Sequence, residues 1–197
     1  MVKKFFTVFL FFVPFVISAT AKDKCEKKGL YCLPRISQTD FNRLAQMSGI
    51  PVFWAEDSKN EGILDPGELV ILGADEKTEK WISKGKFTAG FESAYRKIID
   101  MKRDETVREE LNQGIPTLVQ TDFSNADPKD KEFVKQMLKI GKMIEELHMK
   151  QRGSFHLIGK IKNTVGPAKA LFERNQGPWC YAPKTEKDSF CNAFPDF

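Results

Sequence analysis

The chain has 197 residues, with 31 lysine and arginine side chains against 27 aspartate and glutamate side chains, a net charge of +4. Because the charges are mixed along the chain and form no dense basic block, a nucleic-acid-binding protein is not indicated. An aromatic content of 12% argues against a disordered chain, and the length suits a single domain with its own core.

The first 21 residues have the features of a bacterial export signal. Lys3 and Lys4 make a basic start, and an apolar run, FFTVFLFFVPFVI, follows. This run is too short to span a bilayer comfortably, although an uncleaved N-terminal anchor is the alternative. Ala19-Thr20-Ala21 then offers the small residues that a signal peptidase reads. We therefore expect a periplasmic or secreted protein whose single domain occupies residues 22–197.

Four cysteines form two close pairs at opposite ends of the remaining chain. They are Cys25, Cys32, Cys180 and Cys191. In an exported protein we expect disulfides, either closing a small loop at each end or joining the two ends by two crosslinks. A zinc site is the alternative, but six and ten intervening residues do not match the short spacing of zinc knuckles. No zinc is expected.

Apolar residues in the first half of the domain recur mostly at helical spacing. Residues 37–49 begin with Ser37 and Asp40 in capping-box spacing, which predicts a helix that stops at Gly49. The run Asp65-Pro66-Gly67-Glu68 predicts another short helix, with aspartate as the N-cap and proline in the first turn. A longer helix follows, and a helical pattern resumes over residues 105–114. Its apolar stripe consists of Phe87, Phe91, Ala94, Tyr95, Ile98 and Ile99.

The second half contains the clearest predicted helix, which Asp127 caps, Pro128 begins and Gly153 ends. The extended segment 115–122 precedes it, and because no second strand is apparent we expect a buried connector. A weaker helix over residues 166–177 leads into the cysteine-bearing tail. The expected fold is an all-α, compact helical domain closed by a disulfide-stapled, loop-rich C-terminus. The apolar face of the clearest helix consists of Phe133, Met137, Ile140, Ile144 and Leu147.

Residues 57–68 follow the spacing of a calcium-binding EF-hand loop. Such a loop has oxygen ligands at positions 1, 3, 5, 7, 9 and 12 and a glycine at position 6. Gly62 occupies position 6, and the residue at position 7 contributes its backbone carbonyl oxygen. We therefore predict one EF-hand-like helix–loop–helix with calcium as its ligand. The predicted ligands are Asp57, Glu61, Ile63, Asp65 and Glu68.

Lys59 occupies position 3 of this loop, where an oxygen ligand belongs. An ammonium group close to the ion opposes binding by about 1 kcal/mol in water and by several times more in a partly dry site. The flexible lysine stem can turn outward and leave water in its place, so we expect weak affinity, roughly 0.1–1 mM. The alternative is a structural turn in which Asp65 and Glu68 cap the following helix without an ion.

Catalytic signatures do not occur in the sequence. Neither His148 nor His156 begins a His-Glu-x-x-His run. The Glu145 and His148 spacing of di-iron bundles occurs once, where two copies are needed. Gly-x-Ser-x-Gly, phosphate-loop and dinucleotide motifs are missing, and disulfide-bonded cysteines are not nucleophiles. We therefore lean towards a non-catalytic domain with a binding or structural role and an unknown protein partner.

Three stretches of the chain resemble the N-terminal region of exported bacterial proteins similar to dipeptidyl-peptidase III zinc metallohydrolases. The resemblance implies a helical, EF-hand-like region that precedes a zinc-binding catalytic part, and it implies the loop ligands named above. That family has asparagine or aspartate where this chain has Lys59 and Glu61, and its zinc-binding helix has no counterpart here. The alternative function is thus the N-terminal portion, or a split partner, of such a hydrolase, with a zinc-hydrolase domain encoded nearby. The stretches are residues 40–72, 114–138 and 171–193.

Overall fold

The computed structural model of the protein describes residues 35–58 and 62–195. About half of these residues are helical. The α-helices are α1 (Gln38–Met47), α2 (Ala89–Asn112), α3 (Pro128–Arg152), α4 (Ile158–Ile161) and α5 (Pro167–Asn175). The strands are β1 (Val52–Trp54), β2 (Leu69–Ile71), β3 (Ile82–Ser83) and β4 (Lys86–Phe87). Short 3-10 helices form at Pro66–Glu68, Thr78–Lys80 and Phe155–Leu157.

The helix boundaries follow the caps that the sequence predicts. The Ser37 hydroxyl accepts a hydrogen bond from the Asp40 amide at 3.1 Å and begins α1. The Asp127 carboxylate accepts one from the Lys129 amide at 2.8 Å and begins α3. Gly153 ends α3 with a φ of 74°, a left-handed conformation that glycine adopts at low cost. The predicted α1, α3 and α5 are confirmed, and α2 is one continuous helix where the sequence predicts two segments.

The predicted helical domain is confirmed in part, because two small antiparallel sheets accompany the helices and the fold is not purely all-α. In the first sheet, β1 pairs with β2, and Phe53 lies opposite Val70. The side chains of β1 alternate between buried and exposed, which is the pattern of a strand with one covered face. In the second sheet, Ile82 lies opposite Phe87, and Lys84 and Gly85 form the two-residue turn with φ values of 51° and 68°.

Two clusters of buried side chains form the interior, and α2 contributes to both. The first lies between α1, the β1–β2 sheet and the first half of α2, where the Phe41 ring packs edge-on against the Trp54 ring with centroids 6.1 Å apart. The second lies between the second half of α2, α4, α5 and the C-terminal tail. A disulfide between Cys180 and Cys191 confirms one predicted crosslink. Cys25 and Cys32 lie outside the described residues.

Residues 115–122 are not a buried connector, so that expectation is wrong. The segment has no regular secondary structure, as expected, but its apolar side chains are exposed, with Ile115 at 91%, Leu118 at 85% and Val119 at 84% of full exposure. The helix that follows, α3, contributes no buried residue to either cluster. In the part of the chain that the structure describes, no helix combines the length and apolar character needed to cross a bilayer. The predicted export signal lies outside that part.

Candidate functional site

The candidate calcium loop, residues 57–68, lies between two paired strands. Strand β1 leads into it, and a single turn of 3-10 helix at Pro66–Glu68 leads from it into β2. The expected helix–loop–helix is therefore not observed, because the residues on either side are β-branched and aromatic and pair as a hairpin. The predicted capping box between Asp65 and Glu68 does form, with the Asp65 amide donating to the Glu68 carboxylate at 3.2 Å.

Three residues of the loop, Asp57, Gly62 and Glu68, take the places that the sequence predicts for them. Gly62 has a φ of 63°, as its place at the sharp turn requires. The Asp57 carboxylate accepts a hydrogen bond from the Gly62 amide at 2.8 Å. Glu68, only 6% exposed, turns its carboxylate back across the loop and accepts a hydrogen bond from the Ser58 amide at 2.8 Å. The first and last predicted ligands therefore lie near each other.

Of the three remaining predicted ligands of this loop, the structure describes two, Ile63 and Asp65. Asp65 and Ile63 are half-buried within the loop, close to Glu68 in the chain. Glu61 lies outside the described residues, as does Lys59. The Glu68 carboxylate uses both oxygens to accept backbone hydrogen bonds, so calcium coordination at position 12 would exchange those bonds for metal bonds. In the described part of the loop, Glu68 is therefore held by backbone hydrogen bonds.

The largest uncovered apolar surface on a regular element of the described residues lies on α3. The five predicted face residues, which we call the α3 apolar face, are all exposed rather than packed. Their exposed fractions range from 47% for Ile140 to 65% for Phe133. Soluble monomers rarely leave so many large apolar side chains together in solvent, and such patches mark interaction sites. The residues of the α3 apolar face are Phe133, Met137, Ile140, Ile144 and Leu147.

The rest of the fold holds α3 at its C-terminal end. The His148 ring nitrogen Nδ1 lies 3.0 Å from the side-chain oxygen of Gln176. The Arg152 guanidinium lies over the rings of Trp179 and Tyr181, at 5.2 Å and 5.4 Å from their centroids. The preceding five turns carry their apolar face in solvent. These contacts of α3 lie at its C-terminal end, and most of the length of the helix is exposed.

Glu110 on α2 is a buried carboxylate that binds the C-terminal tail, and sequence reasoning missed it. It is fully buried and accepts hydrogen bonds from the Arg174 guanidinium at 2.5 Å, from the Ala182 amide at 3.0 Å and from the Thr185 hydroxyl. Burial raises the pKa of Glu110, but the hydrogen bonds from the Thr185 hydroxyl, the Tyr181 and Ala182 amides and the Asn175 side chain outweigh it and hold the pKa below its ordinary value. The sequence does contain a sign of this burial, because Glu110 follows Val107 by three residues and therefore lies on the buried face of α2.

Glu110 also lies beside the disulfide. One of its carboxylate oxygens and the sulfur atoms of Cys180 and Cys191 lie within 4.8 Å of one another, a group that could hold a metal ion. The two sulfurs are bonded to each other, however, and a disulfide sulfur is not the thiolate that a metal needs. The contacts of Glu110 with the tail fit a structural anchor.

Comparisons with protein-family models, with curated proteins and with solved structures find no match for this chain. The resemblance to the zinc metallohydrolases therefore stays a prediction.

Proposed function

We propose that this chain is an exported, non-catalytic binding module that docks a partner protein through the α3 apolar face. The observation that carries the proposal is a 25-residue helix whose five regularly spaced apolar side chains remain in solvent. Apolar side chains that pack within a folded protein stabilise it by about 1.5–3 kcal/mol each. Within the described residues, the apolar side chains of α3 do not pack and gain no such stabilisation. A bound partner that covers them would provide it.

The segment that precedes α3 supports the same proposal. Residues 115–119 add three almost fully exposed aliphatic side chains. Together, this segment and α3 match the 20–30 residues that a typical protein–protein interface uses on each side. A zinc-hydrolase domain is one partner that the resemblance suggests, and it belongs to the same class of partner. A catalytic role for the chain itself gains no support from the described residues, whose buried carboxylate Glu110 is fully engaged in structure.

Photo-crosslinking in the cells that produce the protein tests this proposal. A photoreactive phenylalanine analogue in place of Ile140 is expected to give a protein adduct, because that position lies in the centre of the α3 apolar face. The same analogue in place of Lys135, on the opposite face of α3, is the matched control and is expected to give several-fold less. Equal yields at the two positions, or no adduct at either, would overturn the proposal.

A second proposed function is weak calcium binding by residues 57–68, expected in the roughly 0.1–1 mM range of extracellular modules. The specific observation in its favour is that Asp57 and Glu68, the first and last predicted ligands, both turn their carboxylates into the loop. Loop closure is therefore already present before an ion binds, which lowers the ordering cost of binding.

Isothermal titration of calcium into the purified protein checks the second proposal. Glu68→Gln is expected to weaken binding at least tenfold, because it removes the charge of the bidentate ligand. Glu56→Gln, which removes an exposed carboxylate just outside the loop, is the control and is expected to bind like the parent. Thermal unfolding of Glu68→Gln shows whether the turn survives the change. Heat-free titration of the parent up to several millimolar calcium would end the calcium proposal.

A further inference from the structure

The spacing of the α3 apolar face is that of a coiled-coil seam. Its five residues, Phe133 to Leu147, are separated by four, three, four and three positions. This alternation is the a and d pattern of a heptad repeat, in which each side chain fits between four residues of a facing helix. A seam of this kind is complementary to another helix. The first property of the occupant is therefore that it is helical.

The lysines of α3 argue against a membrane surface as the occupant. At about 100° per residue, Lys131, Lys135, Lys139 and Lys142 lie about 160–240° around the helix from Phe133. They thus point away from the apolar face. A helix that lies in a membrane interface gains from lysines at the borders of its apolar face, where they reach the anionic head groups. Here the middle of the seam is flanked by uncharged side chains, at Val134, Gln136, Gly141, Met143 and His148, and lysines lie beside it at the two ends of the helix, at Lys129 and Lys150.

The charge distribution along α3 favours a second copy of the chain in the antiparallel orientation. Residues 129–142 contain five lysines against two acidic residues, whereas residues 143–152 contain two glutamates, one lysine and one arginine. Parallel pairing would place the two lysine-rich halves side by side, and although most of these lysines point away from the seam, their like charges would repel at long range, most strongly at low ionic strength. Antiparallel pairing places each lysine-rich half beside a neutral half that contains Glu145 and Glu146. It also separates the two protein bodies, since each is attached at the C-terminal end of its own α3.

The size of the seam is sufficient for such a dimer. A helix of 25 residues is about 37 Å long. The five large side chains of the seam, each about half exposed or more, would cover on the order of 600 Å² per copy, which reaches the lower limit of about 600 Å² per partner for a specific interface. A two-fold interface uses the same patch on both copies, which requires one seam only. Gly141, whose added Cβ would meet nothing within 4 Å, lies beside the centre of the seam and lets a second helix approach closely.

We propose that α3 pairs with α3 of a second copy in an antiparallel, two-fold coiled coil, with Ile140 facing Ile144 of the second copy. In this register Met137 faces Leu147 of the second copy, and Phe133 faces Gln151. The next register along the seam would place Asp130 in the interface, opposite Leu147 of the second copy. Burying the charged carboxylate of Asp130 costs more free energy than partly burying the uncharged Gln151. The inference rests on the proposed binding function of the α3 apolar face and identifies its partner.

Light scattering and analytical ultracentrifugation of the purified protein test the pairing. The parent, without its export signal, is expected to show a mass about twice that of one chain at micromolar concentration. The Ile140→Ala/Ile144→Ala variant keeps helix-forming residues but loses the central seam contacts, so its dimer dissociation constant is expected to rise at least tenfold. Leu138→Ala removes an even more exposed apolar side chain outside the seam and is expected to dimerise like the parent. A monomeric parent at 100 µM, or equal dimers in all three proteins, would overturn the inference.

Engineered cysteines test the orientation. A mixture of the Met137→Cys and Leu147→Cys proteins is expected to form an interchain disulfide on a non-reducing gel, because the two positions face each other across the antiparallel seam. Met137→Cys alone is expected not to form one. An interchain disulfide from Met137→Cys alone would show parallel pairing and overturn the antiparallel assignment.

The failure of this inference can be told apart from the failure of the proposed function. If the purified parent is monomeric while the cellular adduct at position 140 has a mass other than two chains, the binding function stands and the second copy is excluded as its partner. If the parent is monomeric and position 140 gives no adduct, both fail. Co-sedimentation of the parent with anionic phospholipid vesicles, lost in Ile140→Ala/Ile144→Ala, would replace the second copy by a membrane surface.

Discussion

Glu110 joins parts of the chain that are 64 to 75 residues apart in sequence. Its carboxylate accepts hydrogen bonds from Arg174 on α5 and from the amides of Tyr181 and Ala182 in the tail. A buried charge of this kind is costly when its partners are removed, because the remaining groups lose their hydrogen bonds in a place where water cannot replace them. Glu110 is therefore expected to contribute to the stability of the tail.

Glu110→Gln is expected to lower the free energy of unfolding by about 2–3 kcal/mol, because it removes the charge but keeps the shape. The estimate is at the lower end for buried pairs, since Arg174 is 36% exposed and stays partly hydrated. Urea denaturation at pH 7 measures the change. Glu109→Gln, an exposed neighbour on the same helix, is the control and is expected to stay within about 0.5 kcal/mol of the parent. A similar loss in both variants would contradict the role of Glu110.

The pH dependence of stability follows from the lowered pKa of Glu110. In the unfolded chain a glutamate has its ordinary pKa of 4.5, whereas in the folded protein the pKa lies lower. The carboxylate therefore contributes its full stabilisation above about pH 4.5, and this contribution is lost as the pH falls through the folded pKa. The difference in unfolding free energy between the parent and Glu110→Gln is expected to shrink below pH 4.5. Urea denaturation from pH 7 to pH 3 checks this, and a constant difference over that range would contradict it.

At the scale of single elements, the hairpin of β3 and β4 depends on its two-residue turn. Both Lys84 and Gly85 have positive φ, which is what a type I′ turn requires and what matches the twist of the paired strands. Glycine adopts this conformation without strain, but a side chain with a Cβ atom adopts it at a cost. Lys84 therefore adopts its positive φ at a cost in free energy, and any residue with a Cβ atom in place of Gly85 would incur the same kind of cost.

Gly85→Ala is expected to destabilise the protein by about 1–2 kcal/mol, the cost of a left-handed conformation for a residue with a Cβ atom. Thermal and urea unfolding measure it. Gly67→Ala is a matched control, because Gly67 has no positive φ and an added Cβ meets nothing within 4 Å. That control is expected to be neutral or slightly stabilising. Equal destabilisation by both substitutions would point to general glycine sensitivity rather than to the turn.

The elements that the sequence predicts correctly are those set by local chemistry. Ser37, Asp127 and Gly153 bound α1 and α3 because a cap uses hydrogen bonds to residues only a few positions away. The β1–β2 pairing is harder to predict from the sequence, since Val52 pairs with Ile71 across a long loop and each strand has only three residues. Periodicity likewise indicates that α3 has an apolar face, but it does not indicate what covers that face.

In the candidate loop, too, the features set by local spacing are predicted correctly and those set by strand pairing are not. The place of Gly62 at the turn and the capping box of Asp65 with Glu68 follow from spacing, and both are observed. The strands on either side are not part of that spacing, so the motif predicts helices where a hairpin forms. Glu110 is a third case: its stripe position is visible in the sequence, but its partners come from α5 and the tail. Side chains brought together by tertiary structure leave no local pattern.

At the scale of the whole molecule, the C-terminal tail connects the two buried clusters. Phe190 packs in the first cluster, and its neighbour Cys191 packs in the second. The Arg103 guanidinium of α2 also donates to the backbone oxygen of Asn192, at 3.4 Å. Because consecutive residues of the tail belong to different clusters, a change that loosens the tail should weaken both clusters together.

The disulfide between Cys180 and Cys191 is the crosslink that limits the freedom of this tail in the unfolded chain. For a loop of about this length, the chain-entropy estimate of its stabilisation is about 2–3 kcal/mol. The Cys180→Ser/Cys191→Ser variant is therefore expected to unfold in urea with a lower midpoint by that free energy. The fluorescence of Trp54 in the first cluster and that of Trp179 in the tail are each followed in a protein that keeps only that tryptophan. Each signal should show a lower midpoint than in the same single-tryptophan protein with the disulfide intact, and the two losses of free energy should be equal. If the Trp54 signal kept the parent midpoint while the Trp179 signal moved, the two clusters would unfold independently, and the tail would not couple them.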